Sequence, residues 1–217
     1  MPEWLNGAVL KTAQAGNGLR GFESLPLRQF AMIVYVAENE RMEQTLMTSK
    51  DVVDLYTELE TSGIKIWVDG GWSVDALLDK QLRPHKDIDI AIQWKDVPRL
   101  REILTAQGYE QVKEDSQWNF VLRDDKSHEV DVHAFIYDDT GNIVEGIMYP
   151  TESLTGTGTI DGQPVRCISP RYMVDFLAPY ISKWPEKYVP AVSALCEKYG
   201  LELPKEYSEF TKPEQTK

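Results

Sequence analysis

The sequence has few cysteines, a shortage of basic residues and no long apolar run, and each shortage excludes a class of protein. Only two of 217 residues are cysteine, which excludes a disulfide scaffold. Lys and Arg number 23 against 35 Asp and Glu, a net charge of −12. Since no run of Lys or Arg forms a basic face, binding to bulk nucleic acid is not expected. The longest apolar run, residues 30–37, is far shorter than the roughly 20 residues that span a bilayer, so no membrane partner is expected.

The composition also indicates where the protein is located. Cys167 and Cys196 lie in apolar surroundings without a second Cys at metal or redox spacing, so we predict two buried free thiols in a reducing compartment. Residues 1–30 lack the ordered basic start, apolar run and cleavage site of a secretory signal. A cytoplasmic location is therefore expected, and the 42% apolar content predicts a folded core.

The first part of the chain has neither helical nor strand periodicity over residues 1–29. Residues 21–24 (Gly-Phe-Glu-Ser) back-translate into a sequence like the T-arm of a tRNA gene, and residues 3–28 likewise resemble a translated tRNA gene. Our hypothesis is that residues 1–46 are a non-native or disordered extension, and the alternative is a genuine but loose N-terminal arm. The candidate start residues are Met32, Met42 and Met47.

From Met47 onward, helical and strand patterns alternate, which predicts an α+β (α/β) fold with one or two small domains. Helices are predicted from Thr48 or Ser49 up to residue 63 and over residues 72–78, 96–107, 169–180 and 185–199. Strands are predicted over residues 64–68, 87–92, 109–113, 119–123, 129–135, 159–160 and 164–168. Glycine and proline near residues 140–165 divide a core (47–140) from a hairpin region with C-terminal helices (141–217).

Three aspartates carry the predicted chemistry. Asp87 and Asp89 are two residues apart on an alternating strand, so both side chains leave the same face, with Cα atoms roughly 6.5–7 Å apart. Asp131 points away from its apolar neighbours on another predicted strand, and the three carboxylates share one surface if the two strands pair. Because adjacent anions repel, either one is protonated or a cation such as Mg²⁺ lies between them. The alternative is an ordinary solvated strand face.

A pair of glycines lies shortly upstream of these carboxylates. Gly70 and Gly71 stand at a predicted strand-to-helix turn, where backbone N–H groups and the positive end of a helix can bind phosphate. The alternative is a simple turn. A phosphate-binding turn, a metal-binding pair and a third carboxylate together indicate metal-assisted phosphoryl or nucleotidyl transfer.

Three segments occur in a characteristic order: residues 67–72 (Trp-Val-Asp-Gly-Gly-Trp), 83–90 (Arg-Pro-His-Lys-Asp-Ile-Asp-Ile) and 130–133 (Val-Asp-Val-His). Together they resemble the lincosamide and aminoglycoside 2''-nucleotidyltransferase group of the DNA polymerase β-like superfamily. The resemblance covers about residues 50 to 200 and includes the segment 162–169. It implies a nucleotidyltransferase fold, a mixed β-sheet flanked by helices with a smaller C-terminal helical part.

The resemblance also implies roles for individual residues. Asp87 and Asp89 would hold Mg²⁺ ions that bridge the triphosphate of a nucleotide. Asp131 would act as general base on the acceptor hydroxyl or help to hold the second metal. The residues that would contact the β- and γ-phosphates are Gly70, Gly71 and Ser73. The residues that would neutralise charge on the pyrophosphate are Arg83, His85 and Lys187.

Two of these residues have structural alternatives. His85 can instead pair with a carboxylate, and Lys187 can be a solvated surface lysine, because Pro190 departs from the group's pattern in the helix that follows. His128 and His133 have no Cys or His at metal spacing, so we interpret both as structural or solvent-exposed. Trp118 is a candidate platform for stacking on a base.

The predicted activity is Mg²⁺-dependent transfer of an NMP, preferably AMP, from ATP or another NTP to a hydroxyl of an aminoglycoside or lincosamide. The partners would be a nucleotide and a small acceptor, in a monomer or homodimer. The acidic residues that can line a pocket for a cationic acceptor are Glu114, Asp115, Asp138 and Glu145. The alternatives are a protein that modifies a macromolecule, as in a toxin-antitoxin pair, and a silent nucleotide-binding module.

Overall fold

The computed structural model of the protein describes residues 46–210, which contain five α-helices and eight β-strands. The helices are α1 (Ser49–Thr61), α2 (Gly70–Leu78), α3 (Val97–Ala106), α4 (Pro170–Leu177) and α5 (Pro185–Tyr199). The strands are β1 (Ile66–Asp69), β2 (Asp87–Gln93), β3 (Glu110–Ser116), β4 (Asn119–Arg123), β5 (Glu129–Tyr137), β6 (Ile143–Gly146), β7 (Gly156–Ile160) and β8 (Gln163–Cys167).

All eight strands join one mixed sheet. Its order is β3-β4-β5-β2-β1-β8-β7, with β6 paired to β5 outside this path. The pairs β1–β8 and β2–β5 are parallel, and the other pairs are antiparallel. Helices complete an α+β arrangement, which confirms the predicted fold class. The central strands β5, β2 and β1 are adjacent, so residues at the same level on them lie side by side.

Alternation of apolar and polar residues fixes which face of the central strands is buried. Ile88, Ile90 and Ile92 of β2 are fully buried on one face, together with Val130 and Val132 of β5. Since successive side chains point to opposite faces, the intervening aspartates all leave the other face. The hydrophobic face thereby dictates where the carboxylates go.

The first helix begins where the sequence predicts it. Thr48 caps α1 by accepting a hydrogen bond from the Asp51 backbone N–H, and the Asp51 carboxylate accepts one from the Thr48 N–H. This capping box satisfies two donors that the helix cannot satisfy itself. The helix then buries one apolar face, as the spacing predicts; its members are Val52, Leu55, Tyr56 and Leu59.

Several elements differ from the predicted ones. Strand β7 begins at Gly156 rather than residue 159, and α4 ends at Leu177 rather than residue 180. Helix α2 begins at Gly70 rather than residue 72, because the Asp69 side chain caps it directly at the end of β1. Strand β6 is not predicted, because its glycine indicates a turn in the hairpin region. In the structure Gly146, at φ 92°, instead lies in a strand that pairs with β5. Helix α5 has the predicted bounds and continues through Pro190, which cannot donate the usual hydrogen bond to the Glu186 carbonyl.

The structure also bears on the predicted free thiols and on the possibility of a membrane-spanning helix. Cys167 and Cys196 are buried free thiols, as predicted. No helix among residues 46–210 is long and apolar enough to cross a membrane. The hypothesis about residues 1–46 concerns residues that lie outside the described part, apart from Leu46, and the division at about residue 140 stays a prediction.

Candidate active site

Three aspartates form a row across the centre of the sheet. Asp69 at the end of β1 is the register partner of Asp89 on β2, and Asp89 is the register partner of Asp131 on β5. We call Asp69, Asp89 and Asp131 the acidic row. Asp87 precedes Asp89 by two residues and shares its face. The structure thus brings together the three aspartates selected from the sequence and adds Asp69, which the sequence interpretation did not select.

Asp69 links the acidic row to the start of α2. Its Oδ1 accepts a hydrogen bond from the Gly70 N–H at 2.7 Å, and its Oδ2 accepts one from the Tyr149 hydroxyl at 2.7 Å. Burial alone would raise the pKa of Asp69, but the nearby His133 and hydrogen bonds from Tyr149 and Gly70 outweigh burial and lower it. Asp69 is therefore ionised, and it is held in place by donors on three sides.

The pKa of Asp89 is shifted in the opposite direction from that of Asp69. Burial raises the pKa of Asp89 to about 7, and the negative charges of Asp69 and Asp87 add to that effect. A carboxylate in this setting is readily stabilised by a cation, since positive charge removes both the repulsion and part of the desolvation cost. The centre of the row is therefore the position at which added positive charge is most favourable.

His133 lies among the carboxylates, whereas the sequence interpretation left it as structural or solvent-exposed. Its Nε2 is 3.4 Å from Asp131 Oδ1, and its Nδ1 is 3.6 Å from Asp69 Oδ2 and 2.9 Å from the Tyr149 hydroxyl oxygen. Burial opposes the charged form, but contacts with Asp131 and Asp69 prevail and raise the pKa of His133 to about 10. The imidazolium therefore balances part of the negative charge of the row.

The glycine turn, Gly70 and Gly71, is packed so tightly that a larger residue does not fit. Gly70 has φ 56°, and a Cβ atom there would collide with the Asp89 carboxylate. A Cβ atom on Gly71 would collide with the ring of His85. Both glycines are needed because acidic and imidazole side chains approach the backbone at the helix start. The N-terminus of α2 is thereby brought next to the carboxylates.

A cavity of about 210 Å³ opens beside the glycine turn. Its lining includes all the predicted nucleotide-binding residues except Ser73, together with two of the predicted metal ligands: Gly70, Gly71, Arg83, His85, Lys187, Asp87 and Asp89. The remainder of its lining includes Asp75, Glu186, Tyr188 and Pro190. Asp131 lies outside this lining and adjoins it through Asp89. Ser73 is fully buried and is not among the lining residues, so the structure places its side chain in the core.

His85 is held by a buried carboxylate. Its Nε2 is 2.6 Å from Asp75 Oδ2, and both side chains are almost completely buried. Asp75 Oδ1 accepts a hydrogen bond from the Leu82 N–H at 3.1 Å, and the His85 ring packs on Trp72. The structural alternative for His85 is therefore present in the structure. The same pair anchors the segment that carries Arg83 into the cavity.

The donors of the acidic row are suited to a hard divalent cation. Asp89 and Asp131 each offer a carboxylate oxygen, and these atoms lie within 4.8 Å of each other and of a ring nitrogen of His133. The protonated His133 ring is a donor and not a ligand, so the ligands offered are the carboxylates. Asp131 Oδ1 is buried and has no hydrogen-bond partner among the described residues. A buried carboxylate oxygen without a hydrogen bond is costly unless a cation lies nearby. Carboxylate oxygens are the ligands that Mg²⁺ prefers, so the residues present fit that ion.

The acidic residues predicted to line an acceptor pocket do not line this cavity. Asp115 forms an ion pair with Lys113 at 2.5 Å on an exposed strand. Asp138 accepts hydrogen bonds from the backbone N–H groups of Thr140 and Asn142, both at 2.9 Å, and so caps its own exposed turn. Glu114 and Glu145 are also exposed.

The structure also shows the surroundings of Trp118 and His128. Trp118 packs against Trp94, with ring centroids 4.5 Å apart. His128 is buried and its Nδ1 lies 3.2 Å from Asp124 Oδ2, which agrees with its structural interpretation.

The chain is similar in sequence to known proteins. A lincosamide resistance protein of Staphylococcus haemolyticus is 29% identical over 107 residues, which cover 48% of this chain and 65% of that protein, slightly less than two thirds of it. A 2''-aminoglycoside nucleotidyltransferase of Escherichia coli is 29% identical over 149 residues, which cover 64% of this chain and 80% of that protein.

Solved structures share the fold. The lincosamide antibiotic adenylyltransferase LnuA, in its lincomycin-bound structure, superposes with a TM-score of 0.62 at 22% identity and covers 69% of this chain and 97% of its own. ANT(2'')-Ia, in complex with adenylyl-2''-tobramycin, superposes with a TM-score of 0.60 at 23% identity. The match covers 70% of this chain and 89% of that chain. The sequence model of the aminoglycoside-2''-adenylyltransferase family matches residues 51–183, more than half of the chain. The protein therefore belongs to the aminoglycoside-2''-adenylyltransferase family.

Proposed function

We propose that the protein transfers a nucleoside monophosphate, preferably AMP, from an NTP to a hydroxyl group of an aminoglycoside or lincosamide in the presence of Mg²⁺. The observation that carries the proposal is the position of Asp87, Asp89 and Asp131 on one face of adjacent strands, beside the N-terminus of α2. In a member of this family, that arrangement supports a site that would combine metal-binding and phosphate-binding groups.

The triphosphate would lie in the cavity beside the glycine turn. Backbone N–H groups at the start of α2 would bind phosphate oxygens, and the helix dipole favours negative charge there. Arg83 and Lys187 line the same cavity and would neutralise charge that develops on the leaving pyrophosphate. His85 would contribute mainly by holding its segment in position, since its Nε2 is occupied by Asp75.

Asp87 and Asp89 would hold the divalent ion, with Asp131 beside them as the general base or as a ligand of a second ion. When bound, the ion would supply positive charge that stabilises the negative charge developing during displacement. The raised pKa of Asp89, about 7, shows how strongly this position disfavours an unneutralised carboxylate. Binding of the cation would therefore restore the ionised state of Asp89 at neutral pH.

Asp131 would act as the general base. The acceptor hydroxyl oxygen attacks the α-phosphorus, the bond from that phosphorus to the bridging oxygen of the pyrophosphate breaks, and the hydroxyl proton passes to the Asp131 carboxylate. Asp131 Oδ1 would be available for that proton, because it makes no hydrogen bond among the described residues and its ion-pair partner, His133 Nε2, is 3.4 Å away. The products are the nucleotidylated acceptor and pyrophosphate.

Pyrophosphate release measured with Mg²⁺, each of the four common NTPs and a panel of aminoglycosides and lincosamides tests the proposal. We expect release that depends on both an NTP and an acceptor, with ATP preferred and a matching mass increase of the drug. Release that requires a protein or RNA instead would indicate a macromolecular acceptor. Nucleotide binding without turnover on any acceptor would contradict the proposal and indicate a silent module.

A further inference from the structure

Tyr149 contacts two members of the site although it lies 80 residues beyond Asp69 in the sequence. Its side chain is buried, and its ring packs against Phe135 of β5 and Phe176 of α4, with centroids 6.2 and 6.0 Å apart. Burial of a tyrosine hydroxyl is costly unless the hydroxyl has partners. Here the partners are Asp69, a member of the acidic row, and His133 beside that row.

The hydrogen bonds of Tyr149 have only one consistent direction. An ionised carboxylate can only accept, so the hydroxyl donates its single hydrogen to Asp69 Oδ2 at 2.7 Å. The contact of 2.9 Å with His133 must then be a hydrogen bond from the imidazole Nδ1–H to the tyrosine oxygen. This bond fixes the orientation of the ring and directs its Nε2 toward Asp131 Oδ1, 3.4 Å away.

The backbone holds Tyr149 in this position. After β6, the Ile147 N–H donates to the Ala134 carbonyl at 2.9 Å, and the Tyr149 N–H donates to the Ile147 carbonyl at 2.9 Å. Gly146 makes the approach possible, because it has φ 92° and a Cβ atom there would collide with the Ala134 carbonyl. The segment 146–149 is thus fixed to β5, the strand that carries both His133 and Asp131.

We propose that Tyr149 is a positioning residue for the nucleotidyl transfer proposed above. Its hydroxyl joins Asp69 to His133, and His133 in turn holds the carboxylate of Asp131, the proposed base. Because Asp69 also caps α2 at Gly70, two further hydrogen bonds and the ion pair between His133 and Asp131 link the base to the helix end that would face the phosphates. This inference rests on the proposed function and extends it to residues that do not touch the substrate.

The expected size of the effect follows from the geometry that a base requires. A general base acts within about 2.6–3.2 Å of its proton, and a misplacement of 1 Å can cost on the order of 10²-fold in rate. Outer residues that orient the groups of a metal site typically contribute about 10- to 100-fold. Loss of the Tyr149 hydroxyl should therefore lower the rate without weakening the binding of either substrate.

The first test is Tyr149→Phe, which retains the ring and removes only the hydroxyl. We expect kcat to fall about 10- to 100-fold while both KM values stay within about twofold. Tyr137→Phe is the matched control, because its ring packs against the same Phe135 at 5.0 Å while its hydroxyl lies outside this hydrogen-bond chain. An unchanged kcat in Tyr149→Phe, or an equal loss in the control, overturns the proposal.

A double-mutant cycle tests whether Tyr149 acts through His133. His133→Gln retains a polar side chain without the imidazole ring, and we expect Tyr149→Phe to cost little further rate in that background. Losses that add fully would mean that the two residues act independently, and the proposed connection would then be wrong.

The ¹⁵N NMR spectrum of the imidazole rings in the free protein provides a readout that is independent of activity. The chain has three histidines, so His133→Gln identifies the resonances of His133. We expect the His133 Nδ1 resonance to move in Tyr149→Phe and to stay in place in Tyr137→Phe; no movement in Tyr149→Phe rejects the hydrogen bond.

Failure of this inference is distinguishable from failure of the proposed function. If the wild-type protein is inactive on every acceptor, both proposals are wrong. If the wild type is active and Tyr149→Phe is unaffected, only this inference is wrong.

Discussion

Asp89 and Asp131 are direct register partners on the parallel strands β2 and β5, and both carboxylates leave the same face of the sheet. Neighbouring strands are about 4.8 Å apart, so the two charges cannot separate without a change in the sheet. Asp69 stands on the other side of Asp89 at the same level. The free protein therefore carries an electrostatic repulsion that a bound cation relieves.

Asp89→Asn should abolish activity and stabilise the free protein. We expect kcat to fall on the order of 10³-fold or more, because metal binding and charge neutralisation are lost together. Since the pKa of Asp89 is raised from 3.8 to about 7, the wild type loses stability as the pH rises through that range, and the variant does not. The gain in melting temperature should therefore grow up to about pH 7 and shrink when Mg²⁺ is added.

The exposed Asp125 provides the control for this substitution. Asp125→Asn should leave both kcat and the melting temperature unchanged, because its carboxylate lies outside the row. A lower melting temperature of Asp89→Asn in the absence of Mg²⁺ would contradict the expected repulsion.

His133→Asn should destabilise the free protein in a way that depends on pH. The pKa of His133 is raised from 6.5 to about 10, so its contribution is fully present below about pH 6.5 and disappears as the pH rises through 10. Thermal melting of wild type and variant from pH 6 to about 10 measures this difference. A stability difference that stays constant across that range would show that His133 is not charged in the folded protein.

Gly70→Ala should destabilise the protein more than Gly63→Ala does. Both glycines have positive φ, 56° and 79°, so both substitutions strain the backbone, typically by about 1–2 kcal/mol. A Cβ atom at position 63 has no neighbour within 4 Å, whereas one at position 70 would collide with the Asp89 carboxylate. Urea denaturation should show a further loss of about 1–3 kcal/mol for Gly70→Ala. Equal losses would mean that Asp89 can move away freely.

Lys187→Gln should weaken the binding of the nucleotide. We expect KM for the NTP to rise about tenfold, equivalent to about 1.4 kcal/mol, because a cation that lines the phosphate cavity is removed. Lys183→Gln is the matched control, since both ammonium groups lie over an aromatic ring but Lys183 is not among the cavity-lining residues. Similar kinetic constants for the two variants would place Lys187 outside the nucleotide site.

Short-range sequence patterns predict the parts of the site that lie within one element. Strict alternation from Asp87 to Ile92 allows only a strand with its isoleucines buried, so the direction of both aspartates follows. The same reasoning holds for Asp131 between two buried valines. Pairing of the two strands was a condition in the sequence interpretation, and the register shows that it is met.

The remaining site residues depend on contacts between distant segments. Tyr149 belongs to a glycine-rich stretch with no local signal of function, and only the path of the chain over β5 brings its hydroxyl to Asp69. His133 lacks Cys or His partners because its actual partners are the carboxylates of Asp69 on β1 and of Asp131 on its own strand. Ser73 shows the reverse case, since the phase of α2 relative to the sheet turns its side chain into the core. One local signal was available: an aspartate directly before Gly70 is a typical helix cap.

The segment between β5 and β6 has a practical consequence for engineering. The turn around Thr140 is exposed and is stabilised by its own Asp138, so a tag or fluorescent label inserted there should leave the enzyme intact. Just beyond it, between Gly146 and Tyr149, one extra residue would shift the phenol away from the imidazole. Tolerance to insertion should therefore change abruptly within fewer than ten residues.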